Sequence, residues 1–440
     1  MGEEVAQVVI AESGLVPPLS ETPTGALWLS PLDLLKANRG HTPLLHFYRP
    51  SSSPAGGATD FFDVARLKAA LGKALVAFYP LAGRLDVDQD GRLQIDCGGQ
   101  GALLLVAHSS HLTVDDLSDF KPSPELKRQL VPGLDSDEAA RIMCAIQVTF
   151  FKCGGVAVGT ALHHLAMDGY GASHFFQTWS AFSRDGVRAV VELPFHDRAL
   201  LSPRDPPFVR PDALSLLHPA LNLSELSGDP VATEVFLLGK GHVSALKRIC
   251  GGASTFSALS AHVWRCICLA RRLPPGSTTR LVFPANVRRI LTPPLPDRYF
   301  GNAVMVLAAA SKTQDIIAGG LASVAGRIRG VIGRMDDELV RSAVDQLVLA
   351  KSDGRVAARG SLPLTDVRVI SWLGMPLYDA DFSWGKPVAV LRAESNRGGF
   401  VHLMDQGGDG GVRVVVCAET AILGDFKRLL YDNLLLHSML

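Results

Sequence analysis

The clearest alternation of apolar and polar positions lies in residues 145–162. Ile146, Val148 and Phe150 recur at every second place, Cys153-Gly154-Gly155 reads as a turn, and Val156, Val158 and Leu162 resume the alternation. Period two on both sides of a glycine turn predicts a β-hairpin. Its second strand runs directly into His163-His164-Leu165-Ala166-Met167-Asp168-Gly169, and a helix is expected next, through His174, Phe175, Phe176 and Trp179. Nearer the start, Val5–Ile10 reads as a strand. Phe61–Leu75 reads as a helix, with Val64, Leu67, Leu71 and Ala74 on one face and Asp60 as its N-cap. Arg84–Asp96 has the pattern of a second hairpin, turning at Gln89-Asp90-Gly91.

The regular patterns dissolve between about 194 and 231, where Pro194, Pro203, Pro206, Pro207, Pro211, Pro219 and Pro230 fall. Proline fixes φ and removes a backbone donor, so such a density breaks helices and strands. A long irregular stretch of this kind connects domains or serves a site. Beyond it, Val231–Leu238 reads as a strand, and Ser254 or Thr255 caps a helix through Phe256, Leu259, Val263, Trp264 and Cys268. Helical spacing then continues from Thr313 to about Ala350. Strands are expected at Val367–Trp372, Val388–Leu391 and Val412–Cys417, and a last helix at Ile422–Leu436. This alternation predicts an α/β protein of two lobes with mixed sheets: residues 1–195, a crossover loop at 196–214, and residues 215–440.

Composition narrows the function classes. At about 100–200 residues per domain, 440 residues allow two or three domains. A hydrophobic share of 47% supplies large cores, and 43 basic residues balance 43 acidic ones. A chain without net charge lacks the basic field that phosphate backbones demand, so nucleic acid is not an expected partner. No apolar run approaches the roughly 18 residues of a membrane span. The first basic residue is Lys36, after Glu3, Glu4 and Glu12, so no secretory leader is expected and the cytoplasm is the expected compartment. The 7 cysteines are scattered and odd in number, which suits reduced thiols better than a disulfide framework or a zinc site.

The segment His163-His164…Asp168-Gly169 is the sharpest candidate for chemistry. A histidine at a strand end titrates near neutrality and can take a proton from an attacking nucleophile. Asp168 lies four residues beyond His164, and in a continuous helix the two would share a face, as in a His–Asp relay. The other reading makes one histidine a core residue and Asp168 a helix cap. No G-x-S-x-G, P-loop, H-E-x-x-H or G-x-G-x-x-G pattern competes. A second feature is Tyr378-Asp379-Ala380-Asp381-Phe382-Ser383-Trp384-Gly385, two carboxylates among aromatics and a glycine, which alone reads as an ordered loop.

His164-Leu165-Ala166-Met167-Asp168 (H-x-x-x-D) followed by Asp381-Phe382-Ser383-Trp384-Gly385 (D-F-x-W-G) resembles the plant BAHD acyl-CoA-dependent acyltransferases. The likeness is greatest to the hydroxycinnamoyl-CoA shikimate/quinate hydroxycinnamoyltransferase branch. It extends over Glu21-Thr22-Pro23, His41-Thr42-Pro43, Ala77–Leu85, Ile95-Asp96-Cys97, Gln147–Gly155, Arg204–Pro207, His262–Arg265, Tyr299–Asn302 and Tyr378–Asp381. The resemblance implies two chloramphenicol-acetyltransferase-like lobes with a solvent channel between them and His164 reachable from both ends. It implies a monomer that uses acyl-CoA as a substrate and needs no cofactor or metal. By the same resemblance, His164 is the general base for direct attack of the acceptor on the thioester. Trp372 donates to the oxyanion. Thr42, Leu44, His46, Arg359 and Ile370 fall at acceptor positions, and Ser254 and Thr255 line the CoA channel. Asp168, paired with Arg288, is structural, as are Asp381 and Gly385, and Asp168 then shapes the loop instead of polarising His164.

The departures bear on the substrate. Ser383 replaces the central glycine of D-F-G-W-G. Leu44, His46 and Ile370 stand where shikimate-specialised enzymes carry serine, tyrosine and threonine. Each change alters a polar acceptor contact, at about 0.5–1.5 kcal/mol per neutral hydrogen bond. Arg359 is retained and suits a carboxylate. The expected activity is transfer of a p-coumaroyl or caffeoyl group from CoA to a small hydroxylated acceptor, shikimate-like or a simpler polyol. N-acylation of an aliphatic amine such as putrescine or agmatine is the alternative. A non-catalytic relative that binds acyl-CoA or a phenolic is the rival from another class, and an intact His164 with Trp372 argues against it.

Overall fold

The computed structural model describes residues 8–50, 61–117, 121–217, 230–352, 362–407 and 410–435. In chain order it opens with β1 (Val9–Val16), β2 (Ala26–Trp28), the single turn α1 (Pro31–Leu34) and β3 (His41–Tyr48). Helix α2 (Val64–Ala77) leads to the hairpin β4 (Arg84–Val87) and β5 (Leu93–Asp96), then β6 (Ala102–Ser109). Two short helices, α3 (Pro124–Leu130) and α4 (Asp137–Ala140), precede the hairpin β7 (Cys144–Phe151) and β8 (Val156–His163) and the long α5 (Gly169–Asp185). After the proline-rich stretch come β9 (Val231–Leu238), α6 (Lys240–Ile249), α7 (Thr255–Ala270), β10 (Thr278–Asn286) and β11 (Val304–Lys312). Helices α8 (Thr313–Ala318), α9 (Leu321–Ile332) and α10 (Asp337–Ser352) follow. The chain ends with β12 (Asp366–Ser371), β13 (Ala389–Arg392), β14 (Phe400–Asp405), β15 (Val412–Glu419) and α11 (Thr420–Leu435).

Two units emerge, and neither is one continuous stretch. Unit 1 comprises Met1–Leu200, Pro296–Asn302 and Met375–Glu394; unit 2 comprises Leu201–Leu295, Ala303–Gly374 and Ser395–Leu440. Unit 1 holds a six-stranded sheet in the order β1-β6-β7-β8-β3-β13, and a small sheet β2-β5-β4. Its one parallel pair is β6 with β7; the remaining pairs are antiparallel. Unit 2 holds a six-stranded sheet in the order β11-β10-β12-β14-β15-β9, parallel at β10/β12 and β12/β14. Mixed sheets with helices, as expected, make up both units.

The D-F-x-W-G segment departs from its expected place in the C-terminal lobe. It belongs to unit 1, because β13 pairs antiparallel with β3, Val390 opposite His46, as the sixth strand of that sheet. The expected strand at Val5–Ile10 is displaced to Val9–Val16, with residues 5–7 outside the described ones. Asp63 caps α2, its carboxylate accepting from Arg66 N at 2.6 Å, while Asp60 lies outside the described residues. The helical spacing expected from Thr313 to about Ala350 is divided among three helices. Gly319 closes α8, where a Cβ would lie 2.4 Å from the Asp315 carbonyl oxygen, and Gly333 closes α9.

One core cluster of unit 1 includes Leu45 and Phe47 of β3, Ala157 and Ala161 of β8, and Leu126 and Leu130 of α3. Gly159 lets α3 approach β8 this closely, since a Cβ there would meet the Leu130 carbonyl oxygen at 1.7 Å. The packing holds the end of β8 against β3, His41 opposite His163. It thereby sets where the chain turns into the H-x-x-x-D segment.

Candidate active site

His164 lies one residue past β8, in a turn over residues 164–166 that precedes α5. Its backbone N donates to Gly40 O at 2.9 Å, and Ala166 N donates to His163 O at 3.0 Å. No described side chain hydrogen-bonds its buried Nδ1. Burial, then the positive charges of Lys36 and Arg39, push the imidazole pKa down to about 3 against a smaller opposing pull from Asp168. The ring is therefore neutral at pH 7, the form a general base requires. The neighbouring His163 is fixed differently: its Nδ1 accepts from Leu165 N at 3.3 Å, and its ring meets His41 edge-on at 4.8 Å. Burial, and then the His41 charge, lower its pKa to about 3. Of the two histidines, His163 is the core residue.

Asp168 is the N-cap of α5, its Oδ1 accepting from Tyr170 N at 3.1 Å and Gly171 N at 3.2 Å. A carboxylate there satisfies two of the helix's unpaired donors and sits favourably at the positive end of its dipole. Residues 164–168 are not helical, so the shared helical face that a relay would need does not form.

Beneath the turn lies a cluster that the sequence reading did not single out. Asp33 is fully buried, and its Oδ2 accepts from Ser30 N (2.9 Å), Ser30 Oγ (2.7 Å) and Arg198 Nη1 (3.0 Å). Its Oδ1 accepts from Asn302 N (2.8 Å) and Nδ2 (2.9 Å). The Ser30-Pro31-Leu32-Asp33 stretch carries the local signal of a capping box, and the structure forms one. Nothing local points to Arg198 or Asn302 as its partners.

The other expected acceptor residues of unit 1 share a face of β3. Thr42 is half-buried opposite Leu162. Leu44 is 7% exposed and His46 1% exposed, with the His46 ring 4.6 Å from Phe176 and burial lowering its pKa to about 4. Both lie in the interior of unit 1, His46 against Phe176 of α5. Asp381 Oδ1 accepts from Ser383 N (2.9 Å) and Gly385 N (3.1 Å), which holds the turn. Ser383 adopts φ +83° and Gly385 φ +99°.

In unit 2, Trp372 follows β12 half-buried, its N donating to Leu403 O at 2.8 Å and its ring edge-on to His402 at 5.9 Å. Ile370 is half-buried in β12 opposite His402. Ser254 is the N-cap of α7 and Thr255 its first residue, with Ser254 Oγ accepting from Ser257 N at 3.2 Å. Arg288 is buried just after β10. Arg359 lies outside the described residues. Among the described residues, no helix is long and apolar enough to cross a membrane.

The transferase family model matches residues 6–432. The chain is 43% identical to putrescine hydroxycinnamoyltransferase 1 of Oryza sativa subsp. japonica, over 97% of this chain and 99% of that one. It is 36% identical to shikimate O-hydroxycinnamoyltransferase of Nicotiana tabacum, over 97% and 100%. The crystal structure of vinorine synthase superposes with a TM-score of 0.75 at 24% identity, covering 98% of each chain, and shares the fold. With its H-x-x-x-D and D-F-x-W-G segments matched along nearly the whole chain, the protein belongs to the transferase family, the BAHD acyl-CoA-dependent acyltransferases.

Proposed function

We propose that the protein transfers a hydroxycinnamoyl group from its CoA thioester to an aliphatic amine, with His164 as general base. The observation that carries the base role is the place of His164 in the H-x-x-x-D segment, in a turn anchored at the end of β8 by its backbone N on Gly40 O, with Asp168 turned away as the cap of α5. The acceptor nitrogen attacks the thioester carbonyl, His164 takes the proton released from nitrogen, and the thiolate of CoA leaves as the tetrahedral intermediate collapses. No acyl-enzyme forms. Trp372, on the strength of the family resemblance, donates to the oxyanion, a contact that strengthens as charge develops. Ser254 and Thr255 on the CoA side rest on the same resemblance, as does the pairing of Asp168 with Arg288.

Two features support an amine. The relative at 43% identity carries putrescine in its name, against 36% for the relative named for shikimate. Leu44 and Ile370 also offer an acceptor hydroxyl no partner. A carboxylated polyol is the second reading, favoured by the positive charges of Lys36 and Arg39 facing His164 and by retention of Arg359. Release of CoA from p-coumaroyl-CoA, measured against putrescine, agmatine, shikimate, quinate and glycerol, decides between them. An amine acceptor near pKa 10.4 is mostly protonated at pH 7, so its turnover climbs towards pH 9–10, whereas a hydroxyl acceptor lacks that rise. Turnover of shikimate or quinate with none of the amines would overturn the first reading.

A further inference from the structure

We propose that Asp33, Arg198 and Asn302 are positioning residues that set the catalytic turn and so the placement of His164. The inference rests on the reading of His164 as the base.

Three consecutive backbone carbonyls of the turn end on two side chains. Asn302 Nδ2 donates to His164 O at 2.9 Å, Arg198 Nη1 to Leu165 O at 3.2 Å, and Arg198 Nη2 to Ala166 O at 2.7 Å. One carboxylate ties both donors down, Asp33, through Oδ2 to Arg198 and Oδ1 to Asn302. Asp33, Arg198 and Asn302 are each no more than 2% exposed. They come from three separate stretches: the α1 turn, the segment after α5, and the 296–302 return of the chain into unit 1.

A non-helical turn leaves its carbonyls without the main-chain partners of a helix, and buried carbonyls must find donors. Water or main-chain amides would satisfy them equally well for stability alone. Here the donors are rigid instead: a planar guanidinium and an amide, each clamped from behind. A shift of the turn would break several charge-assisted or buried bonds together, so its coordinates are narrowly held. Proton transfer is sensitive to this, since a misplacement of about 1 Å can cost on the order of 10²-fold. Stability alone would not require the arrangement, because a buried ion pair can often be replaced by apolar groups at little cost.

The test uses Asn302→Ala and the charge-neutral double variant Asp33→Asn/Arg198→Met, which leaves no buried charge unpaired if the single variants fail to fold. Each is assayed with p-coumaroyl-CoA and the acceptor that the panel identifies, beside His164→Ala. For folded protein we expect kcat to fall on the order of 10- to 100-fold, with KM for both substrates within about threefold. Water admitted to the loosened turn lessens the burial of the imidazole, so the acid limb of kcat/KM moves to higher pH. The charges facing His164, namely Lys36 and Arg39 after α1 and Asp168 at the start of α5, stay unaltered. Wild-type kcat and pH profile in both variants, with His164→Ala inactive, would leave the base in place and reduce the network to a structural role. Wild-type turnover by His164→Ala would instead remove the base, and the positioning inference with it.

Discussion

Two aspartate-held turns of unit 1 use the same chemistry to different ends. Asp168 and Asp381 each accept two backbone N–H groups on Oδ1, from residues 170 and 171 in one case and 383 and 385 in the other. The carbonyls of the turn just before the first end on polar side chains, Asn302 and Arg198, both held by the buried Asp33. Around the second, the neighbours are aromatic. Phe382 is 1% exposed and lies 4.7 Å from the Trp179 ring, while Trp384 stacks on Phe62 at 4.8 Å with the Arg66 guanidinium 5.0 Å from its face. Tyr48 adds a hydrogen bond from its hydroxyl to Ala380 O at 2.9 Å. The motif aspartate is the same anchor in both, and the two turns differ in what surrounds it. The aromatic turn feeds the chain into β13 and completes the sheet whose β8 end presents His164.

The largest contrast should come from exchanging truncations between the two turns. His164→Ala is expected to lose on the order of 10²–10⁴-fold in kcat, with the urea midpoint nearly unchanged. Phe382→Ala is expected to cost about 3–5 kcal/mol of stability while the folded fraction keeps its kcat. Thermal or urea unfolding run beside steady-state assays checks both, and a large kcat loss in folded Phe382→Ala would erase the distinction.

A smaller effect is expected in acid, from buried histidines on both sides of the comparison. Burial lowers His163, next to the first turn, to about 3 and His46, opposite β13, to about 4. Below about pH 6.5 the unfolded chain takes up protons that these two buried rings refuse. Stability is therefore full above that pH and declines as pH falls towards the folded values, by about 1.4 kcal/mol per pH unit for each ring. His46→Leu should flatten the fall in urea midpoint between pH 6.5 and pH 4.5, and an unchanged slope would count against the neutral buried ring.

The smallest effect lies in the backbone of the aromatic turn. Ser383 occupies φ +83°, where a side chain is disfavoured by roughly 1–2 kcal/mol. Part of that gain returns as chain entropy when glycine is introduced, so Ser383→Gly should stabilise by about 0.5–1 kcal/mol. Gly385→Ala at φ +99° should destabilise by about 1 kcal/mol or more. Equal midpoints for the two variants would contradict the strain assigned to this turn.

Much of the local structure is legible in the sequence. The 145–162 hairpin, the strand Val231–Leu238, the Ser254 cap and the last helix follow from alternation, helical spacing and capping chemistry, all of which act within a few residues. The breaks at Gly319-Gly320 and Gly333 were also local, but apolar spacing carried the expected helix across them. His164 was picked out by its place at a strand end, and the family followed from two motifs about 210 residues apart.

The elements, the candidate base and the family were legible along the chain, because periodicity, capping and each motif are written in runs of a few neighbouring residues. Tertiary structure alone decided that β13 returns to unit 1 with the D-F-x-W-G turn, since the hydrophobic run of an edge strand does not name its partner. It alone distinguished His163 as core from His164 as candidate base, two adjacent residues of one type separated by burial and partners. And it alone gathered Asn302 onto Asp33 across 269 residues. A buried carboxylate, amide and guanidinium each look like ordinary polar residues along a chain, and only folding removes the water that would otherwise be their partner.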